Sequence, residues 1–291
     1  MKIAHFLHQG QAGVGLVSAD LQRVTPWQVP DHLRALGALP LVEAMAAGIE
    51  LPPFGQVLEM ADVELLAPLP RPRRNIFCVG KNYHAHAKEF AGSGFDSSAK
   101  AGGDIPAVPI IFSKVPESVI GPGARIEIPA AVSTAIDYEA ELAVVIGRGG
   151  KGIAAADAMQ HVWGYTIVND VTSRDWQNRH MQWLMGKSFD TFCPMGPWLV
   201  SADECPGQDT MVRCYVNGEL RQNASTRDLI FNIPTLVETL SAGITLYPGD
   251  VISTGTPVGV GIGFKPPKYL QAGDVVRVEI DGIGHLENPV A

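Results

Sequence analysis

The sequence predicts an α+β fold that is rich in β-strands, with a few short helices packed at the edges of the sheets. Glycine contributes 31 and proline 22 of the 291 residues, and this many turn-forming residues favour short strands over a helical bundle. Hydrophobic residues make up 46% of the chain and charged residues only 18%. A chain of this length and composition can bury a sizeable core, either as one large domain or as a large domain with a small companion.

Residues 1–70 are predicted to form a small N-terminal domain of short strands, with helical pieces near residues 31–36 and 41–47. A proline-rich segment then runs from Pro68 to Arg74. Closely spaced prolines interrupt both helices and sheets. The domain boundary is therefore placed in this segment, and residues 71–291 are assigned to a second, larger domain.

The larger domain begins with a predicted strand at residues 75–79 and a short helix at 83–90. Residues 91–108 are rich in Gly, Ser, Ala and Asp and are interpreted as a mobile loop, because they offer little to bury. Asn217-Gly218 indicates a hairpin with a type I′ turn. Residues 233–241 form the clearest amphipathic helix, with Pro234 in its first turn. Further strands are predicted at residues 109–112, 135–147, 164–170, 211–216, 250–254 and 275–281.

Charge and hydropathy exclude several classes of protein. The net charge is −8, without a basic run, which argues against nucleic-acid binding. The first residues lack the apolar stretch of a signal peptide, and no stretch approaches the roughly 18 apolar residues of a membrane span. The four cysteines show no C-x-x-C spacing, so buried, reduced thiols are expected. These observations predict a cytoplasmic protein that does not associate with membranes.

A segment with alternating acidic residues is the first candidate functional feature. Glu139 and Glu141 precede an apolar run, and residues two apart on a strand point to the same face. Asp170 ends another apolar strand and could lie beside them. Three converging carboxylates form a hard oxygen site, which suits Mg²⁺, Mn²⁺ or Ca²⁺ rather than zinc. The alternative is a half-exposed strand with a solvated acidic face, and this segment alone does not decide between the two.

The second feature is a histidine and a glutamate on the predicted helix at residues 83–90. His86 and Glu89 stand at positions i and i+3, so they share a face of the helix. A carboxylate beside an imidazole raises its basicity, which gives a base that can deprotonate water near neutral pH. One alternative is an ordinary surface helix with a weak His–Glu contact. Another takes His84, His86 and Glu89 as ligands of a transition metal.

Two cationic residues and a glycine-rich segment complete the set of candidates. Arg174 and Lys187 could hold a carboxylate or stabilise a developing enolate, although either could also be a surface charge. The glycines of residues 255–261 could let the backbone approach a ligand. Pro266 and Pro267 block the helix that a nucleotide-binding loop requires. The chain also lacks a G-x-S-x-G motif, so serine hydrolase chemistry has no support.

Taken together, these segments resemble the fumarylacetoacetate hydrolase family. They occur in the order of the family's motifs from about residue 75 to the C-terminus, which is roughly three quarters of the chain. Any one of them is weakly diagnostic, but five in order are specific. The matching pieces are Asn82-Tyr83 with His86 and Glu89, Asp137 to Leu142, Asn169 to Gln177, Lys187 to Asp190, and Gly255 to Gly261.

The resemblance implies a mixed β-sandwich or β-roll catalytic domain with a small, variable N-terminal domain, usually in a homodimer. It implies Mg²⁺ or Mn²⁺, with Ca²⁺ as a possible substitute. The segment 91–108 is longer than the corresponding segment in many compact members of the family. The implied metal ligands are Glu139, Glu141 and Asp170, the catalytic residues are His86, Glu89 and Lys187, and the substrate-binding residues are Tyr83, Arg174, Gln177 and Thr256.

The resulting hypothesis is hydrolytic cleavage of a C–C bond in a small 2,4-dioxo acid, of the acylpyruvate or fumarylpyruvate type, through an enolate. His86, oriented by Glu89, would activate the attacking water, and Lys187 would help to stabilise the enolate. The same site would serve an oxaloacetate decarboxylase or a 2-hydroxy-dienoate isomerase, so both remain alternatives. A non-catalytic binding protein with the same fold is a further alternative.

Overall fold

A computed structural model describes residues 1–91 and 105–291. The N-terminal part contributes five strands and two helices: β1 (Lys2–His8), β2 (Gln11–Val17), β3 (Arg23–Pro26), α1 (Asp31–Arg34), α2 (Leu39–Ala46), β4 (Leu58–Glu59) and β5 (Glu64–Leu66). The predicted mobile loop at residues 91–108 lies mostly outside the described residues.

The remainder of the chain alternates strands with a few short helices. Its first elements are β6 (Ile76–Gly80), α3 (His84–Ala91), β7 (Ile110–Lys114), β8 (Val119–Ile120), β9 (Ile136–Asp137), β10 (Ala140–Ile146), β11 (Val162–Asn169) and β12 (Thr172–Ser173). They are followed by α4 (Arg174–Arg179), α5 (Leu184–Lys187), β13 (Cys193–Ser201), β14 (Met211–Val216), β15 (Glu219–Ser225), α6 (Ile233–Ser241), β16 (Val251–Ser253), β17 (Val275–Ile280) and β18 (Gly284–Pro289). The β-rich class predicted from composition is confirmed.

A large mixed sheet organises the molecule. Its strands follow the order β4-β3-β2-β1-β13-β11-β10-β16-β6-β7, with β5 paired to β1 and β8 paired to β13. A four-stranded antiparallel sheet (β15-β14-β17-β18) and a ribbon of β12 and β9 complete the β-structure. Because β1 pairs with β13, strands from the first 70 residues extend the large sheet. The division into domains at residues 70 and 71 remains a prediction.

Strand β10 lies at the centre of the core, and all seven of its residues are buried. Leu142 and Val144 pack into one hydrophobic cluster, whereas Ala143 and Val145 pack into a second cluster. The sequence of a strand that is covered on both faces is a continuous run of apolar residues. This burial explains why the acidic residues of the segment lie at its beginning, where the strand enters the core.

Several local predictions are confirmed. The Asn217-Gly218 hairpin joins β14 to β15 with φ of 52° and 78°, the two positive values that a type I′ turn requires. Helix α6 has the predicted bounds, and its first turn is capped by the Asn232 side chain, which accepts a hydrogen bond from the Thr235 amide. All four cysteines are free and buried. In the described residues no helix is long and apolar enough to cross a membrane.

The predicted single strand at residues 135–147 is wrong, because the chain forms two strands there. β9 pairs with β12, whereas β10 pairs with β11 and β16. Between them the Glu139 amide donates to the Asn169 side-chain oxygen at 3.0 Å instead of to a backbone carbonyl of a neighbouring strand. The change of partners turns the chain at Tyr138 and Glu139 and places Glu139 at the entrance of the core.

Candidate active site

Three carboxylates meet where β10 and β11 pair. Glu139 precedes β10, Glu141 lies within it, and Asp170 directly follows β11. In the antiparallel register Ala140 faces Asn169, and the Asp170 amide donates to the Glu139 carbonyl at 2.8 Å. One oxygen from each carboxylate lies within 4.8 Å of the others. The residues are only 5%, 1% and 0% exposed, so the interpretation of a solvated acidic face is wrong.

Two of these carboxylates are paired with buried cations. The Lys187 ammonium lies 2.8 Å from a Glu139 oxygen and 2.7 Å from an Asp170 oxygen. The Arg174 guanidinium lies 2.7 Å from the second Glu139 oxygen. The Lys114 ammonium lies 2.7 Å from the other oxygen of Asp170. These contacts fix both carboxylates in place.

Glu141 is held differently. It accepts hydrogen bonds from the Ser253 hydroxyl at 2.5 Å and the Gly255 amide at 2.9 Å, and among the described residues it forms no salt bridge. Burial, followed by the nearby charges of Asp170 and Glu139, raises the pKa of Glu141 to about 8. Burial also acts to raise the pKa of Glu139, but the charges of Lys187 and Arg174 outweigh it and lower that pKa to about 2.

The donor set fits a hard divalent cation. Carboxylate oxygens without histidine or cysteine are ligands suited to Mg²⁺ or Mn²⁺. Lys187, Arg174 and Lys114 form ion pairs with Glu139 and Asp170, whereas the described residues contribute only neutral donors to Glu141. Like charges close together in a buried site are stable only when a proton or a cation compensates them. A divalent cation on Glu139, Glu141 and Asp170 would replace the proton on Glu141.

This arrangement predicts an unusual pH dependence of stability in the absence of metal. The folded-state pKa of Glu141, about 8, lies above its ordinary value of 4.5. The folded protein therefore keeps a proton that the unfolded chain has already released, and the free energy of unfolding falls as pH rises from about 4.5 through about 8. Urea unfolding of the wild type and of Glu141→Gln in EDTA across this range measures the effect. We expect the free energy of unfolding of the variant to lack this decrease with pH. The same pH dependence in both proteins would contradict the raised pKa of Glu141.

Helix α3 carries the histidine and the glutamate on its buried face. His86 Nδ1 lies 3.1 Å from a Glu89 oxygen, and the Gly259 amide donates to both oxygens of Glu89 at 3.0 and 3.2 Å. A Cβ on Gly263 would lie 2.0 Å from Glu89, so this close approach requires glycine. His84 is exposed. The described residues hold one candidate metal cluster, and it contains neither histidine.

A small pocket connects the two features. It encloses about 270 Å³ of space between atoms, part of it open to solvent. Of the residues expected to act in the site, seven line the pocket: His86, Glu139, Glu141, Arg174, Gln177, Lys187 and Thr256. The rest of the wall is formed by Val79, Gly80, Lys81, Phe90, Phe112 and Trp183. The structure thus brings the predicted base, the carboxylate cluster and two predicted cations to one place.

Comparison with known proteins identifies the family. The family described as "Fumarylacetoacetate (FAA) hydrolase C-terminal" matches residues 75–291. Oxaloacetate tautomerase YisK of Bacillus subtilis is 50% identical over 232 residues, which cover 79% of this chain and 74% of that protein. The chain belongs to the fumarylacetoacetate hydrolase family.

Solved structures agree with this assignment. A fumarylacetoacetate hydrolase from Exiguobacterium antarcticum has a TM-score of 0.82 and 41% identity, with 100% of this chain and 99% of that one covered. A maleylpyruvate hydrolase from Sphingobium, in complex with manganese and pyruvate, has a TM-score of 0.75 and 30% identity, with the same coverage. The chain is therefore an enzyme of the fumarylacetoacetate hydrolase family, with the fold of its β-rich members.

Three of the expected residues lie outside the lining of the pocket. Asp170 and Glu89 lie behind it and contact it through Lys187 and His86. Tyr83 is 2% exposed, and its hydroxyl is buried without a hydrogen-bond partner among the described residues. Its backbone instead forms a bridge with Leu229. A role for Tyr83 in substrate binding, which the family resemblance implied, stays a prediction.

Several contributors were not anticipated from the sequence. Lys114 ends β7, and a lysine two residues after the apolar run of residues 110–112 could have been flagged as a buried cation. Ser253 ends the short strand β16, where nothing in the local pattern sets it apart from a core serine. The aromatic side chains Phe90 and Phe112 each contact Trp183 edge to face, at centroid distances of 6.2 and 5.2 Å. Such residues are indistinguishable from core residues in a sequence.

Proposed function

We propose that this enzyme interconverts the keto and enol forms of a small 2-oxo acid, with oxaloacetate as the preferred candidate. The observation that carries the proposal is that a buried carboxylate cluster and the His86–Glu89 pair meet at one small pocket. Proton transfer was one of the alternatives that the residues left open. The name of the relative from Bacillus subtilis, an oxaloacetate tautomerase, supports that alternative over hydrolysis.

The metal would have a single task. A divalent cation held by Glu139, Glu141 and Asp170 would supply Lewis acidity toward the carboxylate and the adjacent oxygen of a 2-oxo acid. The positions of these three residues are set by the β10–β11 register and by the buried cations around them.

The chain's own residues would move the proton. With His86 Nδ1 hydrogen-bonded to Glu89, Nε2 is the nitrogen left to exchange a proton with a bound molecule. The His86 imidazole would take a proton from C3 of the keto acid as the C2–C3 double bond forms. The resulting imidazolium would give that proton to the C2 oxygen, which regenerates the imidazole. The reverse sequence returns the keto form. No carbon–carbon bond breaks and no water is consumed.

The cations of the pocket favour an acidic substrate. Lys187 and Arg174 are buried at the carboxylate cluster, and Lys81 also lines the pocket. Burial acts to lower the pKa of Lys187, but the charges of Asp170 and Glu139 raise it overall, so the ammonium remains charged. Its positive charge beside the C2 oxygen would stabilise a developing enolate. The small volume favours a short-chain acid.

Hydrolysis of a C–C bond in a 2,4-dioxo acid is the second candidate. The same His86–Glu89 pair could deprotonate a water that attacks C4, and cleavage would leave the enolate of pyruvate in the same place. The Sphingobium structure of a maleylpyruvate hydrolase with manganese and pyruvate supports this candidate. Decarboxylation of oxaloacetate would use the site without an attacking water. We propose, as the family resemblance implied, that the active form is a cytoplasmic homodimer.

Product analysis tests the proposal. Enol-oxaloacetate is added to the enzyme with Mg²⁺, Mn²⁺ or EDTA, the loss of enol absorbance is recorded, and the products are identified by NMR. We expect metal-dependent acceleration of enol–keto exchange without loss of carbon. Release of carbon dioxide at the same rate would indicate a decarboxylase. If exchange is not accelerated but an acylpyruvate is split into two acids, the hydrolase candidate replaces the tautomerase.

A further inference from the structure

Asp137 is a fully buried carboxylate that does not line the pocket, and none of the roles above involves it. It lies at the end of β9 and is 0% exposed. Its Oδ1 accepts hydrogen bonds from the amides of Tyr138 at 2.9 Å and Gly261 at 2.6 Å. Its Oδ2 accepts from the Ile262 amide at 3.0 Å and from Arg174 Nε at 2.9 Å. One carboxylate therefore joins a pocket cation to a backbone segment.

That segment, residues 259–263, also holds the catalytic pair. The Gly259 amide donates to Glu89, while the amides of Gly261 and Ile262 donate to Asp137. A Cβ on Gly261 would lie 2.7 Å from Asp137 Oδ1 and 2.4 Å from the Lys268 carbonyl. The backbone is thus clamped between two carboxylates, with Glu89 on one side and Asp137 on the other.

We propose that Asp137 is a positioning residue that sets Glu89, and through it His86, and Arg174 at the same time. The inference rests on the proposed function, because it assigns Glu89 and Arg174 to proton transfer and to substrate binding. Asp137 acts on Glu89 through the backbone of residues 259–263. It acts on Arg174 through a direct ion pair, in which Asp137 Oδ2 also lies 2.9 Å from a terminal nitrogen of Arg174.

The chemistry of the carboxylate explains why asparagine could not replace it. A carboxylate offers two acceptor oxygens, whereas an asparagine offers one acceptor and a donor. In Asp137→Asn the amide nitrogen takes the place of Oδ1 or of Oδ2. In the first case it faces the Gly261 amide and that link to the segment breaks. In the second case it faces the Ile262 amide and Arg174, and both of those links break. A displacement of about 1 Å at such a distance from the chemistry can lower turnover about 100-fold.

A double-mutant cycle separates positioning from a loss of stability. In the wild-type background, Asp137→Asn is expected to lower kcat about 10- to 100-fold and to raise KM. In a Glu89→Gln background it should lower kcat little further, and in an Arg174→Met background it should raise KM little further. Asp175→Asn is the matched control. Asp175 follows Arg174 in helix α4 and accepts hydrogen bonds from Ser133 and Ser173, but it does not line the pocket. We expect it to keep wild-type kcat and KM.

Additive effects of Asp137→Asn in both backgrounds would overturn the inference, as would an unchanged kcat per folded molecule. If Asp137→Asn does not fold, Gly261→Ala decides, since its Cβ displaces the segment from Asp137; its loss of kcat must disappear in the Glu89→Gln background. A wild type without tautomerase activity would contradict the proposed function but not this inference. In that case the double-mutant cycle is measured with the Mn²⁺-dependent affinity for oxalate in place of kcat and KM. Asp137→Asn must then weaken oxalate binding in the wild-type background but not in the Arg174→Met background.

Discussion

Glu141→Gln is expected to lower kcat/KM for enol–keto exchange about 1,000-fold. A bound cation contributes several kcal/mol of charge stabilisation in a transition state, and about 1.4 kcal/mol corresponds to each factor of ten in rate. Among the described residues, Glu141 is the member of the cluster that is held by neutral donors only, so its charge is available to a cation. Steady-state kinetics at saturating Mg²⁺ or Mn²⁺ measure the loss. Near-normal activity would show that Glu141 is not a ligand.

The stability of the metal-free variants supplies a control for this prediction. With a pKa of about 8, Glu141 is largely protonated at neutral pH, and a glutamine closely resembles that protonated form. In EDTA, Glu141→Gln should therefore unfold at the wild-type temperature near pH 4.5. At about pH 7 it should unfold above the wild-type temperature, because only the wild type gives up a proton at this position when it unfolds. Glu139→Gln should instead lose about 3 kcal/mol, because it leaves the buried Lys187 and Arg174 short of a partner. Equal effects of the two substitutions would contradict the assigned charge states.

His86→Asn is expected to lower kcat about 100- to 10,000-fold, the usual contribution of a positioned general base. The substitution removes the proton acceptor but leaves the carboxylate cluster intact, so stabilisation by Mg²⁺ or Mn²⁺ should persist. Rates of enol–keto exchange and melting temperatures, measured on the same samples, test both halves of the prediction.

His84→Asn is the matched control for this second prediction. His84 is exposed on the same helix, two residues away, and it should tolerate the change with unaltered kinetics. If His86→Asn kept near-normal turnover with metal still bound, His86 would not be the base. A proton acceptor would then have to be sought among the other residues that line the pocket.

The carboxylate cluster was predictable because it follows from strand geometry. Glu139 and Glu141 flank Ala140, and the approach of Asp170 follows from pairing between two long apolar strands. The pairing of His86 with Glu89 likewise follows from helical periodicity, because an i, i+3 spacing places both side chains on one face. The i, i+2 and i, i+3 spacings are local information, whereas the approach of Asp170 also requires β10 to pair with β11.

Features that depend on tertiary pairing were not predictable in the same way. Strand β13 occupies the middle of the large sheet, but Pro194 and Pro197 argue locally against a central strand. The break between β9 and β10 arises because the two strands choose different partners. Lys114 reaches Asp170 across 56 positions of sequence, and no local pattern encodes that contact.

The reaction itself is less accessible from sequence than the site. Hydrolysis, decarboxylation and tautomerisation of 2-oxo acids would all use the same cation ligands and the same His86–Glu89 pair. The three reactions differ in whether a water molecule or a second carbonyl group of the substrate occupies the pocket. The shape and charge of the pocket walls decide which of these can bind. Those walls include Phe90, Phe112 and Trp183, which come from α3, β7 and the residue before α5. Their convergence is a property of the fold.

The central claim is that a metal held by Glu139, Glu141 and Asp170 binds the chelating end of a 2-oxo acid. Thermal unfolding in EDTA, Mg²⁺ and Mn²⁺, each with and without oxalate as a mimic of the pyruvate enolate, tests it most directly. A ligand that binds only the folded state at 100 times its Kd adds about 2.7 kcal/mol to the free energy of unfolding. We predict that oxalate raises the melting temperature by several degrees only when metal is present, and that Glu141→Gln abolishes this rise. A melting temperature that responds neither to metal nor to oxalate would contradict the claim.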